Sequence, residues 1–175
     1  ELGHPRLPSC SFELGPLAVW PKTVPAELVD ALLQAVDDEN KKVRLEAIYT
    51  LGVIGSGGQL TLSEAAVARL LKALDHYDPV VRAGAARVVG RLQVKSAGDA
   101  LLNAVNDSNA EVRYASIRAL GEIRDERAIQ ALTEQLSYYG RGEGAWSALD
   151  ALARIAHPSS VPLFTARLAD KDPFL

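Results

Sequence analysis

The sequence contains no methionine, a single cysteine, Cys10, and no apolar run that approaches the ~18 residues a membrane-spanning helix needs. One cysteine excludes an internal disulfide and leaves redox compartment unread. With no partner cysteine or nearby histidine, Cys10 reads as an incidental thiol. Beginning at Glu1 without methionine, the chain is expected to be a processed product or fragment. Cationic excess is also missing. A formal charge of −3 argues against a general nucleic-acid binder, which must neutralise phosphates. Metal-ligand spacing is lacking too: His4, His76 and His157 fall in a tail and two interhelical turns, and no His-Glu dipeptide occurs. What remains, 48% apolar and 23% charged residues over 175 positions, is an ordinary soluble globular mix, long enough to bury a core. Compartment stays open, with a soluble, cytoplasmic setting favoured.

Self-similarity organises the chain. Leu32-Leu33-x-x-Val36, Leu70-Leu71-x-x-Leu74, Leu101-Leu102-x-x-Val105, Leu132-Thr133-x-x-Leu136 and Phe164-Thr165-x-x-Leu168 share one frame, at steps of 38, 31, 31 and 32 residues. A second block follows each of the first four. Val43-Arg44 leads to Ala47, Leu51-Gly52 and Ile54; Val81-Arg82 to Ala85, Val89-Gly90 and Leu92; Val112-Arg113 to Ser116, Leu120-Gly121 and Ile123. In the fourth, Gly144-Ala145 replaces Val-Arg while Ala148, Leu152 and Ile155 keep the phase.

Apolar spacing in both blocks is helical, so each unit is a helical hairpin. Thr61-x-x-Glu64 has the form of a capping box, and Asp78-Pro79 that of an N-cap followed by a first-turn proline. Asp125 and Ser159 stand at further N-cap positions. Gly52, Gly90 and Gly121 near the ends of the second helices are either C-caps or contact points for close helix packing. A lone hairpin cannot bury both apolar faces, whereas a stack of them forms a continuous core. The expected fold is all-α: a right-handed solenoid of antiparallel hairpins.

Residues 107–132, Asp-Ser-Asn-Ala-Glu-Val-Arg-Tyr-Ala-Ser-Ile-Arg-Ala-Leu-Gly-Glu-Ile-Arg-Asp-Glu-Arg-Ala-Ile-Gln-Ala-Leu, closely resemble the short bacterial HEAT-like repeat named after phycobilisome lyases, and the likeness extends over about residues 24–175. It is specific for fold and poor for function. The resemblance implies a ladder of hydrogen bonds between units. In that ladder Asp38, Asp107 and Asp170 match the aspartate, and Arg44, Arg82 and Arg113 the arginine that begins the second helix. His76, Tyr138 and Ala145 depart from the pattern, so interruptions are expected there, most clearly in the fourth unit. The expected layout is a Pro-rich lead-in over residues 1–23, anchored by Leu17 and Trp20, then a repeat domain over 24–175 with four full units and a fifth cut at Leu175.

Some proteins of this type are enzymes. The resemblance extends to iron-binding deoxyhypusine hydroxylases, but those carry His-Glu pairs that are missing here. Gly140-Arg-Gly-Glu-Gly144 lacks the GxxxxGK[ST] pattern and a preceding strand, so it reads as an interhelical loop. Gly55-Ser-Gly-Gly58 is a flexible insertion that accounts for the 38-residue step. No catalytic residue, metal ligand or cofactor-binding residue is assigned.

In a solenoid of this type the second helices line the concave side. Their outward positions form three columns: Leu45, Ala83, Tyr114, Trp146; Tyr49, Arg87, Arg118, Asp150; and Val53, Arg91, Glu122, Arg154. Tyr49, Arg87, Arg91, Tyr114, Arg118, Trp146 and Arg154 are the candidate partner-binding residues, of types enriched at interaction hot spots. The competing reading is a solvated arginine face with aromatics shielding the stack. Tyr138-Tyr139 either extends this surface or covers a helix end. Two functions follow: a non-catalytic scaffold for a protein or acidic peptide, with no nucleic acid or membrane involved, or an accessory factor or lyase acting on a protein-bound prosthetic group, as phycobilin lyases do.

Overall fold

A computed structural model describes residues 24–56 and 62–168. The two apolar blocks of each unit become paired helices: α1 (Ala26–Ala35) with α2 (Lys41–Ser56), α3 (Glu64–Ala73) with α4 (Pro79–Arg91), α5 (Gly98–Ala104) with α6 (Ala110–Ile123), and α7 (Ile129–Tyr139) with α8 (Glu143–Ile155). A last helix, α9 (Val161–Leu168), begins a fifth unit. Short 3-10 turns, Lys95–Ala97, Glu126–Ala128 and Pro158–Ser160, lead into α5, α7 and α9. No strand occurs among the described residues. The protein is an all-α solenoid.

Its core is a seam between consecutive second helices, α2 on α4, α4 on α6 and α6 on α8, with the first helices packed along one side. Leu70, Leu101 and Leu132 are fully buried, and so are Leu51, Leu120 and Leu152. The outer units differ. In α1 the buried leucine is Leu33 while Leu32 is only half-buried, and Phe164 of α9 is half-buried as well. Terminal helices have a neighbour on one side alone among the described residues, so their burial follows that side.

Glycine decides how close the second helices come. A Cβ at Gly121 would stand 2.5 Å from the Cα of Ala151, and one at Gly90 2.8 Å from the Cα of Ala119. These two residues therefore serve packing. The left-handed positions at the turns are filled instead by Gln93, Arg124 and Ala156, at φ of 56°, 54° and 56°.

Two caps differ from the sequence expectation. α3 is capped by Ser63, whose hydroxyl accepts from the Ala66 amide at 3.1 Å; Thr61 lies outside the described residues. The turn before α9 is capped by His157 and not Ser159, with Nδ1 accepting the Ser159 amide at 3.2 Å. In both cases a side chain two residues from the expected one lies in line with a free amide. Asp78 and Asp125 cap as expected. The lead-in over 1–23, with His4, Cys10, Leu17 and Trp20, lies outside the described residues, as do Gly57 and Gly58 of the insertion and residues 169–175 with Asp170.

Candidate partner-binding face

Two sets of charged residues run along the stack. The inner set is structural. Arg44 donates Nη2 to Asp78 Oδ2 at 2.8 Å, and both side chains are over nine-tenths buried. Arg82 grips Asp107 with Nε and Nη2, at 2.8 and 2.9 Å. Arg113 donates Nε to the Tyr139 hydroxyl at 2.8 Å. Each guanidinium also donates to two carbonyls of its own turn: Asp38 and Glu39, His76 and Tyr77, and Asp107 and Ser108. Every arginine thus ties its own turn to the next repeat.

The interruptions expected at His76 and Tyr138 do not occur. Asp78, two residues after His76, supplies the carboxylate for Arg44. His76 takes the other half of the role, since its Nδ1 accepts the Asp78 amide at 3.0 Å as Asp107 Oδ1 accepts that of Asn109 at 2.8 Å. In the fourth unit Tyr139 stands in for the aspartate, while Tyr138 is 80% exposed. Ala145 holds the next arginine position, so that position supplies no guanidinium.

The bond from Arg44 holds the Asp78 carboxyl below the usual carboxylate range, against the opposing effect of burial. At Asp107 burial pushes up, and the two bonds from Arg82 together with the Asn109 amide outweigh it.

The outer set lies on the second helices and includes the candidate residues. Arg87 pairs with Glu111 at 2.8 Å, Arg118 with Glu143 at 2.5 Å and Arg154 with Asp150 at 2.7 Å. Arg118 also reaches the Ser147 hydroxyl at 3.2 Å. Arg91 donates Nη1 to the Gly52 carbonyl at 2.9 Å. Three of the four candidate arginines are therefore members of acid–base pairs, and Arg91 is held by a backbone carbonyl. Glu111 and Glu143, missed by the sequence reading, occupy first turns of α6 and α8, where the helix dipole favours a carboxylate. Their 32-residue spacing, close to that of Arg87 and Arg118, was the available signal. Half-buried Glu122 lies among Arg91, Arg154, Asp150 and Arg118, and burial raises its pKa.

The aromatics divide. Tyr49 is 59% and Trp146 53% exposed, whereas half-buried Tyr114 packs edge-on against Tyr139, ring centroids 5.6 Å apart. Ala83, in the same column as Tyr114 and Trp146, is buried and unavailable. Among the described residues no group of three or more His, Cys, Asp or Glu gathers as a metal set, and no helix is long and apolar enough to cross a membrane.

Residues 67–138 match the family model described as HEAT repeats, and residues 28–58 the HEAT repeat model, together more than half of the chain. Among solved structures, the complex of CpcE and CpcF of phycocyanin lyase from Nostoc sp. PCC7120 is similar, with a TM-score of 0.66 and 21% identity over 89% of this chain. An engineered protein is similar at a TM-score of 0.57 and 23% identity over 73% of this chain. This chain spans 64% and 62% of those two proteins' lengths. No curated protein matches it by sequence.

Proposed function

We propose that this chain, which belongs to the HEAT-repeat proteins, is a non-catalytic binding scaffold whose partner is a protein or peptide seated on the face formed by α2, α4, α6 and α8. The observation that supports this most is the exposure of Tyr49 and Trp146 on second helices whose other large apolar side chains are mostly buried. The exposed half of the indole adds nothing to folding, and burial by a partner would recover its apolar surface.

The contacts proposed are Tyr49, Arg87, Arg91, Tyr114, Arg118, Trp146 and Arg154, within one repeat domain over residues 24–175 preceded by a lead-in. Acidic groups suit this face despite the intramolecular pairs. Exposed ion pairs are worth roughly 0–1 kcal/mol, so a partner carboxylate can take a guanidinium from Glu111 or Glu143 at little cost. Bidentate geometry then favours the incoming carboxylate, and added salt weakens the complex. Neither a cofactor, a nucleic acid nor a membrane is part of this reading.

Pull-down against cell extract, with melts run alongside, tests it. Trp146→Ala or Arg118→Ala should cost about 1–3 kcal/mol of binding and leave the fold intact. Equal capture by wild type and the Arg87/Arg118/Trp146 triple alanine variant rejects this face.

A second reading, an accessory role toward a protein-bound prosthetic group, has only the likeness to the phycocyanin lyase complex behind it. Visible absorbance that copurifies after co-expression with a linear tetrapyrrole would favour it.

A further inference from the structure

The face formed by the second helices is not uniform. Between α4 and α6 it carries the Arg87–Glu111 pair, and between α6 and α8 the Arg118–Glu143 pair. The corresponding positions between α2 and α4 hold Tyr49 and Val80, which cannot form an ion pair. In place of the pair lies a groove of about 310 Å³ lined by Leu45, Tyr49, Val53 and Val80, with Arg87 and Arg91 also on its wall.

This groove is clamped at both ends. The buried Arg44–Asp78 bond ties the start of α2 to the cap of α4, and Arg91 ties the end of α4 to the Gly52 carbonyl of α2. Between the clamps Ile48 fills the space that a side chain at Gly84 would need, so the helices interlock. The walls are thus set before anything binds, which lowers the ordering cost of association. Arg87 gives Nη2 to Glu111 and Arg91 gives Nη1 to the Gly52 carbonyl, out of five N–H groups on each guanidinium.

We propose that the α2–α4 groove is the specificity pocket of the binding face. It takes from a partner protein a bulky apolar side chain followed, within about one helical turn, by a carboxylate. The apolar floor accepts the first, and Arg87 and Arg91, one turn apart on α4, accept the second. At this volume, near the lower end of the roughly 300–1,000 Å³ typical of ligand pockets, the groove suits side chains of a peptide segment. The proposal rests on the binding-face reading above and adds a position and a chemistry to it.

Selection of a phage-displayed random peptide library on the intact chain tests both, with Tyr49→Ser, Tyr49→Asp and Trp146→Ala as comparison proteins whose fold is checked by circular dichroism and melting. Enriched peptides should place Leu, Phe or Trp within four residues of Asp or Glu. They should bind both Tyr49 variants at least about tenfold more weakly, equivalent to about 1.4 kcal/mol. Enrichment of no sequence, of sequences without carboxylates, or of peptides held equally by the Tyr49 variants overturns the proposal. Peptides weakened by Trp146→Ala alone would reject the pocket and keep the second-helix face. Peptides indifferent to all three variants would reject both. Self-association of the wild type that Tyr49→Asp abolishes would make a second copy the occupant and overturn the assignment to a partner protein.

Discussion

The ring of Tyr139 occupies the space that a side chain at position 144 would need: a Cβ on Gly144 would stand 2.5 Å from Tyr139 Cγ. That vacancy lets the Tyr139 hydroxyl reach Arg113 and continue the ladder where an aspartate is missing. Gly144→Val should displace the ring, strand the guanidinium and cost about 2 kcal/mol in urea unfolding. Tyr139→Phe, which keeps the ring and removes the hydroxyl, should cost about 1 kcal/mol.

Asp78 both caps α4 and neutralises Arg44 in a buried setting. Asp78→Ala leaves an unpaired buried guanidinium and an uncapped helix, so a loss of about 3–5 kcal/mol is expected at pH 7. A denaturant midpoint within error of wild type would contradict the buried pair.

Acid should unfold the protein through the same carboxylates. Asp78 and Asp107 have folded pKa values below their unfolded ones, so their stabilisation is present above the ordinary carboxylate pKa of about 4. It declines as pH falls through the folded values. Melting temperatures from pH 6 to pH 2 should drop most steeply below about pH 4, and the drop should be shallower in Asp78→Asn.

His76 does for its turn what Asp38 and Asp107 do for theirs. An Asn at 76 offers a side-chain oxygen to the Asp78 amide, so His76→Asn should hold stability to within about 0.5 kcal/mol. His76→Ala offers none and should lose about 1 kcal/mol. Equal melting of the two variants would assign the ring to packing alone.

Exposed Ala156 sits at φ 56°, a conformation that disfavours any Cβ. Ala156→Gly should therefore stabilise the protein by about 1 kcal/mol, read as a higher melting temperature.

Much of this architecture was legible because it is local. Apolar residues at helical spacing define a hairpin from within some thirty positions, and repetition of the frame supplies the stack. Asp78-Pro79 announces its cap in the two residues themselves. The choices between Thr61 and Ser63, and between Ser159 and His157, were misread because a cap depends on which side chain aligns with a free amide.

Sequence by itself determined the helices and the register of buried Leu70, Leu101 and Leu132, while burial of Ala83 shows that the outward columns on the second helices were read only in part. Tertiary structure decided who pairs with whom. Arg87 meets Glu111 and Arg113 meets Tyr139 across 24 and 26 residues, distances set by how far one hairpin rotates on the next. That rotation depends on contacts such as Gly121 against Ala151, where the absence of a side chain sets the approach of two backbones. Arg87, Arg118 and Arg154 thus became ion pairs in space, with an apolar gap at the step where Tyr49 and Val80 replace the charges.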